Sequence, residues 1–440
     1  MKIKMKNVLV GLAAALAFAA CGDDSPGTDA PVNDIRFTEG YVVIGQADPV
    51  SYLMGVEALA SGATVGFDDG VEIPGVAIGV SFGDDPYLYV GASDAPEIVR
   101  YALTEQGLVE DARVSLAGAG TTSVGGYQSN LLLVSKEKAY YIDQAKDQLV
   151  VWNPTTMEVT GSVEFDEPIT GEGLRTGISG FPLLHDGRFY IGLGWLDAQT
   201  LEVIGGAAVL VIDTETDETK VVRDPDGECG YSFSVVQGGD VLWVGSEAYA
   251  AAYWAITGDE AARPCMKILD PETLEFGGNA VYFDLAIEAA AGTLVPGPTA
   301  TKAYLRYLSE DDLGMTLEEW RTGGENGTPV GNARVLSSRP AWRWAEVDYE
   351  QEMIVPLDFA PSSGATLRID TGNGTLLPEF DNAAGKTYLR DFTGNVYGDI
   401  VLEAQGHVRR EPHPTDGRAT LVTLTDSGRE LSEKATAALN

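Results

Sequence analysis

The chain has little of what most metal and acid–base chemistry uses: three His and three Cys in 440 residues. His185 stands in a His-Asp-Gly turn and reads as structural. His407 and His413 flank Val-Arg-Arg-Glu-Pro, a spacing that fits no standard metal arrangement. There is no phosphate-binding glycine loop ahead of a helix and no His-Glu-x-x-His. The commonest nucleotide-binding and zinc-peptidase signatures are therefore missing, and no metal or other cofactor is expected from the residues. Positive charge is scarce too, with 29 Lys and Arg against 66 Asp and Glu and a net charge of −37. Such a chain repels phosphate backbones and anionic headgroups, which argues against nucleic acid and against electrostatic docking on lipid. Asp224-Pro-Asp226-Gly227-Glu228 has the beginning of a calcium loop but lacks its further oxygen donors and distal Glu. It reads as a solvated turn, as do Asp68-Asp69-Gly70 and Asp84-Asp85-Pro86.

What is present begins with an address. Residues 1–20 read as an export signal, with Lys2, Lys4 and Lys6 as the charged start and Val8–Ala20 as the apolar run. That run is shorter than the about 20 residues a spanning helix needs. Leu16-Ala17-Phe18-Ala19-Ala20-Cys21 resembles a bacterial lipobox. The resemblance implies that Cys21 becomes an acylated N-terminus, anchored in a membrane by about 0.8 kcal/mol per buried CH₂. Gly22 after Cys21 permits, by the enterobacterial rule, transport to the outer membrane, so the cell envelope is the expected location and the outer membrane is preferred. Residues 21–40 read as a polar, flexible tether and residues 41–440 as the folded domain. Cys229 and Cys265 remain, and in an exported chain they are expected to form a disulfide.

The domain is organised by a recurring hairpin. Leu149–Val163 (LVVWNPTTMEVTGSV) is an apolar strand, an Asn-Pro turn and an alternating second strand. Asn153 accepts backbone hydrogen bonds in such a turn, and Pro154 presets φ for the position after it. The phrase returns as VLVIDTETDETKVV (Val209–Val222), KILDPETLEF (Lys267–Phe276) and LRIDTGNGTLL (Leu367–Leu377). Asn153, Asp213 and Asp270 lie 60 and 57 residues apart, and Ala102 aligns with Asn153 at 51. Repeats of this length, dense in short strands broken by Gly, Pro, Asp and Asn, predict an all-β fold and specifically a β-propeller. The length suits seven blades, with eight as the alternative. Val396–Glu403 and Ala419–Thr425 are expected to pair with Tyr41–Ala47 and close the ring, since an open edge invites aggregation.

Tyr87–Leu103 (YLYVGASDAPEIVRYAL) and VLVIDTETDETKVV resemble the YVTN-type propeller repeat over roughly residues 87–283 and, more weakly, 342–380. SYLMGVEALASGATVGFDDGVEIPG (Ser51–Gly75) resembles the opening of a class of bacterial lipoprotein propellers, one of which accompanies myxochelin siderophore genes in myxobacteria. The resemblance implies a role in iron acquisition at the envelope and brings no catalytic motif.

The repeat breaks over residues 285–346. There Arg306, Arg321, Arg334, Arg339 and Arg343 cluster with Tyr304, Tyr307, Trp320, Trp342 and Trp344. Arg forks recognise carboxylates and stack on aromatic faces, so Arg306, Trp320, Arg321, Arg339, Trp342, Arg343 and Trp344 are the candidate ligand residues. Placed after Val281–Leu285, the insertion is expected opposite the Asn/Asp turns, at the channel mouth, with an anionic aromatic ligand such as a ferric siderophore. The plain alternative is inter-blade packing for Trp342 and Trp344, with Arg306 and Arg343 answering Glu310, Asp311, Asp312, Glu318 and Glu319 on the surface. Binding or scaffolding is the expected function. A lactonase- or quinoprotein-like enzyme, or an assembly subunit bound to an outer-membrane protein, are the alternatives.

Overall fold

The computed structural model describes residues 41–47, 50–56, 64–66, 70–82, 87–104, 107–125, 130–179, 182–287, 289–296, 300–308, 342–349 and 353–356, with short strands beyond. Asn33–Asn440 forms one compact unit, and residues 1–32 form another that lies outside the described residues. The fold is the expected β-propeller: among the described residues, six antiparallel sheets of four or five strands follow one another along the chain. The export signal, Cys21 and the tether lie outside the described residues, as do His407 and His413. No helix among the described residues is long and apolar enough to cross a membrane.

Blade one contains Tyr41–Ala47, Val50–Val56 and Val71–Pro74. Blade two contains Ala77–Ser81, Tyr87–Ala92, Glu97–Thr104 and Gly107–Ser115. Blade three contains Leu131–Ser135, Lys138–Asp143, Gln148–Asn153 and Glu158–Glu164. In blade four, Leu174–Ile178 and Leu183–His185 share the first position, followed by Arg188–Asp197, Val203–Asp213 and Thr219–Arg223. Blade five contains Ser234–Gly238, Val241–Gly245, Cys265–Asp270 and Glu275–Tyr282. Blade six contains Ala291–Pro296, Lys302–Leu308, Trp342–Asp348 and Met353–Pro356. A single sheet cannot bury both faces, and each core cluster accordingly draws on two neighbouring blades. Leu149 and Val151 of blade three pack with Ile191, Leu193 and Leu210 of blade four. Val209 and Val211 of blade four pack with Val235, Leu242 and Leu269 of blade five.

The chain ends do meet, but through a different strand from the one expected. Thr387–Asp391 pairs antiparallel with Tyr41–Ala47, from Tyr41↔Asp391 to Gly45↔Thr387. Thr420–Leu424 pairs instead with Val408–Pro412, and Val396–Glu403 lies outside the described residues. The Tyr-Leu-Arg run of Thr387–Asp391 has the alternation an edge needs, as the two expected strands also do; composition does not choose among them.

The repeated hairpin is one specific turn. The Oδ1 atom of Asn153 accepts from Thr155 N at 2.8 Å and Thr156 N at 3.0 Å. Asp213 does the same for Glu215 and Thr216, and Asp270 for Glu272 and Thr273. The fifth residue takes a left-handed conformation in each, at Met157 (φ 55°), Asp217 (φ 64°) and Leu274 (φ 57°). The Asp370 hairpin is one residue longer, since Asp370 pairs with Leu376 where Asn153 pairs with Glu158. These Asx turns also join blades: Lys138 Nζ donates to Thr214 O at 2.8 Å, and Arg188 donates to Pro271 O at 3.1 Å.

Backbone N–H groups, Thr216 first, hold the Asp213 carboxyl below the usual carboxylate pKa. Thr273 N and Thr200 N do the same for Asp270 and Asp197. A depressed folded pKa contributes stability above the unfolded value near 3.9, and that contribution is lost as pH falls through the folded one. Asp213→Asn keeps the acceptor without the charge. It is expected to retain the fold at pH 7 and to flatten the stability loss below about pH 4, read by urea titration across pH.

Candidate binding face

Strands alternate in direction along a blade. The second-to-third connections and the crossovers between blades therefore share one end, and the Asx turns of Asn153, Asp213 and Asp270 share the other. Three consecutive blades enlarge their second-to-third connection at the first end. Blade four extends Arg188–Asp197 and Val203–Asp213 into a long hairpin, capped by a further Asx turn in which Asp197 Oδ1 accepts from Gln199 N and Thr200 N. Blade five inserts helix α1, Ala248–Thr257. Blade six inserts residues 309–341, which lie outside the described residues.

The last point corrects the expected position of the break in the repeat. Residues 291–308 and 342–348 are regular blade-six strands, paired in unbroken register from Lys302↔Asp348 to Leu308↔Trp342. The irregular chain is the connection inside that blade, not an insertion after a fourth strand. Both kinds of connection emerge at the same end, so the expected face is unchanged.

Of the seven candidate ligand residues, Trp320, Arg321 and Arg339 lie outside the described residues. The register sets Trp344 opposite Arg306, Arg343 opposite Tyr307 and Trp342 opposite Leu308. Among the described residues, the Arg306 Nη2 atom lies 3.3 Å from Glu247 Oε1 and 3.1 Å from Thr293 Oγ1; the acidic run from Glu310 to Glu319 lies outside the described residues. Glu247 caps α1, accepting from Tyr249 N at 2.5 Å, and takes the Thr293 hydroxyl at 2.8 Å. Thr293 holds φ 65°, a costly conformation for a β-branched residue, and its surroundings over-determine it. This fork is committed to positioning α1 on blade six.

The described face carries an aromatic cluster built around the buried Tyr231. Tyr231 lies 4.5 Å from Phe233 and 5.5 Å from Tyr249, ring centre to ring centre, and Tyr249 lies 6.3 Å from Tyr253 one turn along α1. Phe233, Tyr249 and Tyr253 are half-buried. Burial pushes the Tyr249 phenol up in pKa, while the exposed Arg175 nearby pulls it back. Glycines in blade four make the bed for this segment. A Cβ on Gly177 would stand 1.9 Å from Phe233 Cζ, and one on Gly192 would stand 2.5 Å from the backbone oxygen of Ser232. A backbone neighbour cannot swing aside, so Gly192→Ala is expected to cost about 1–3 kcal/mol, read as a lowered denaturant midpoint.

Sequence reading missed α1. AYAAAYWAIT is alanine-rich, ends at Gly258 (φ 69°) and carries Tyr at i and i+4. Alanine content and the glycine stop were the available signals.

Beneath the face lies a charged node. Lys267 Nζ sits 2.7 Å from Asp224 Oδ1, 2.9 Å from Asp226 Oδ2 and 3.1 Å from Glu228 Oε2. Lys267 is 1% exposed and the Asp224 side chain 0%. Asp224–Glu228 is a turn solvated at its tip, Pro225–Gly227, but its Asp224 end is buried, and the ammonium of the third strand stands between the carboxylates. Burial lowers the Lys267 pKa, and the hydrogen bonds that Lys267 donates to these carboxylates outweigh it and raise the pKa. The expected disulfide is present beside the node, joining Cys229 to Cys265. His185 stays in its turn, 3.4 Å from Asp186.

No protein-family model and no curated protein matches the sequence. The fold resembles solved structures at low identity. A protein from Lactobacillus plantarum has a TM-score of 0.44 at 10% identity, covering 80% of this chain and 100% of that one. The WD40 domain of Toxoplasma gondii coronin has a TM-score of 0.43 at 10% identity, covering 88% and 90%. Kuenenia stuttgartiensis hydrazine synthase has a TM-score of 0.37 at 10% identity; the chain spans 64% of it, with 63% of its own length.

Proposed function

We propose that the protein is a lipid-anchored, extracytoplasmic binding protein, held at the outer membrane through Cys21, which meets its ligand at the enlarged end of blades four to six. The ligand class is anionic and aromatic, as a ferric catecholate siderophore is. The observation that carries this reading is the array of Tyr231, Phe233, Tyr249 and Tyr253 beside Arg175, at the end where three neighbouring blades carry extra chain. Aromatic faces stack on planar rings, and guanidinium groups supply the countercharge. Trp342, Arg343 and Trp344 begin the blade-six strand that starts from the same end, and Trp320, Arg321 and Arg339, outside the described residues, precede it in sequence. A binding role also suits the polar groups here, because Glu247 is engaged by Thr293 and Arg306 and the acidic cluster by Lys267.

Intrinsic fluorescence titration with an iron(III)–catechol complex tests the reading. Saturable quenching is expected, weakened by about tenfold or more in Phe233→Ala and in Arg321→Ala, the size of a contact at the centre of an interface. Thr216→Ala, at the Asx-turn end, is expected to titrate as the unaltered protein does. A flat titration of the unaltered protein overturns the proposal.

A further inference from the structure

The Lys267 node has the parts of a self-forming cross-link, and it is independent of any ligand at the face above it. The nucleophile and the electrophile are both out of water, with Lys267 Nζ 2.7 Å from Asp224 Oδ1 and exposures of 1% and 0%. A second carboxylate, Glu228 Oε2, lies 3.1 Å from the same nitrogen, and Tyr282 OH donates to its other oxygen at 2.9 Å. The Glu228 backbone N–H donates to Asp224 Oδ2 at 2.8 Å, where negative charge would gather if the Asp224 carbonyl carbon were attacked. The neighbouring Cys229–Cys265 disulfide ties the two segments together, so the reacting groups are held rather than encountered by chance. Asp226 also touches Lys267 at 2.9 Å, but its side chain is 67% exposed and its carboxylate remains solvated.

We propose that Lys267 and Asp224 condense to an intramolecular isopeptide bond, with Glu228 as the proton carrier. Lys267 passes a proton to Glu228 and its amine attacks Asp224 Cγ. Glu228 returns that proton to the departing Asp224 oxygen, and the second proton from nitrogen leaves with it. One C–N bond forms, one C–O bond breaks, one water is released, and no oxidant or co-reactant is consumed. The reaction replaces a buried ion pair, costly to keep out of water, with a neutral amide. The three carboxylates favour the ammonium, so the amine is a minor species and the bond forms slowly after folding.

Peptide mapping of the full-length exported protein, reduced and alkylated first to remove the disulfide, decides the matter. A branched peptide joining the Asp224 and Lys267 segments, lighter than its two parts by one water, is expected. It is expected to persist in Asp226→Asn, to be lost in Asp224→Ala and to accumulate many-fold more slowly in Glu228→Gln. Recovery of the Asp224 and Lys267 peptides solely as separate, unmodified species from aged unaltered protein overturns the proposal, whatever the variants do.

Discussion

Lys267→Ala is expected to lower the stability of the freshly folded propeller, in which Lys267 and Asp224 are still an ion pair, by about 3–5 kcal/mol, the range found when one partner of a buried ionic pair is removed. The magnitude follows from Asp224. Its side chain is 0% exposed, and Lys267 supplies the cation that faces it. Asp226, 67% exposed, retains its hydration and contributes little. The damage is expected to spread. The backbone of this loop holds Ala207 through Glu228 O at 2.6 Å and through Asp224 N donating to Ala207 O at 2.8 Å, so the loss loosens the joint between blades four and five. Replacing both partners by apolar residues, as in Lys267→Met with Asp224→Leu, is expected to recover much of the loss, because no buried carboxylate is then left uncompensated. Guanidinium-induced unfolding of the single and double variants checks both statements.

The second large effect is expected from the disulfide. Cys229→Ala with Cys265→Ala opens a loop with a sequence separation of 36 residues. The chain-entropy model puts the loss at roughly 3–4 kcal/mol. Cys229 holds φ 54° and Tyr231 φ 56° on either side of Gly230, left-handed conformations that cost free energy and persist because the surroundings fix them. Without the disulfide the segment is expected to relax, taking the Tyr231–Phe233 pair off its glycine bed. Ligand titration of the double variant is therefore expected to weaken along with the unfolding midpoint.

Much of the fold was legible in the chain. The Asn153, Asp213 and Asp270 turns are local: the side chain that caps the turn lies within three residues of the amides it accepts, so sequence and structure carry the same information. The Cys229–Cys265 pairing was legible because no other cysteine of the domain competes. What was hidden is long-range. The choice of Thr387–Asp391 as the closing strand is made by the ring and not by composition. The fate of Asp224–Glu228 depended on Lys267, a residue 43 positions away from Asp224 whose burial a local reading cannot see. Arg306 looked available because its nearest acids in sequence lie in the following segment. An acidic partner among the described residues, Glu247, sits 59 residues back at the head of a helix. The aromatic face was hidden for the same reason, since Tyr231 and Phe233 belong to one piece of chain and Tyr249 to another, helix α1, and the glycines of blade four bed the first of them.

Hydrogen exchange of the full-length protein with and without a saturating iron(III)–catechol complex tests most directly whether the enlarged end of blades four to six is the working surface. Slowed exchange is expected in residues 193–205 and 229–257, with no change at the turns of Asn153, Asp213 and Asp270. Protection centred on those turns, or none anywhere in the presence of bound ligand, would contradict the account.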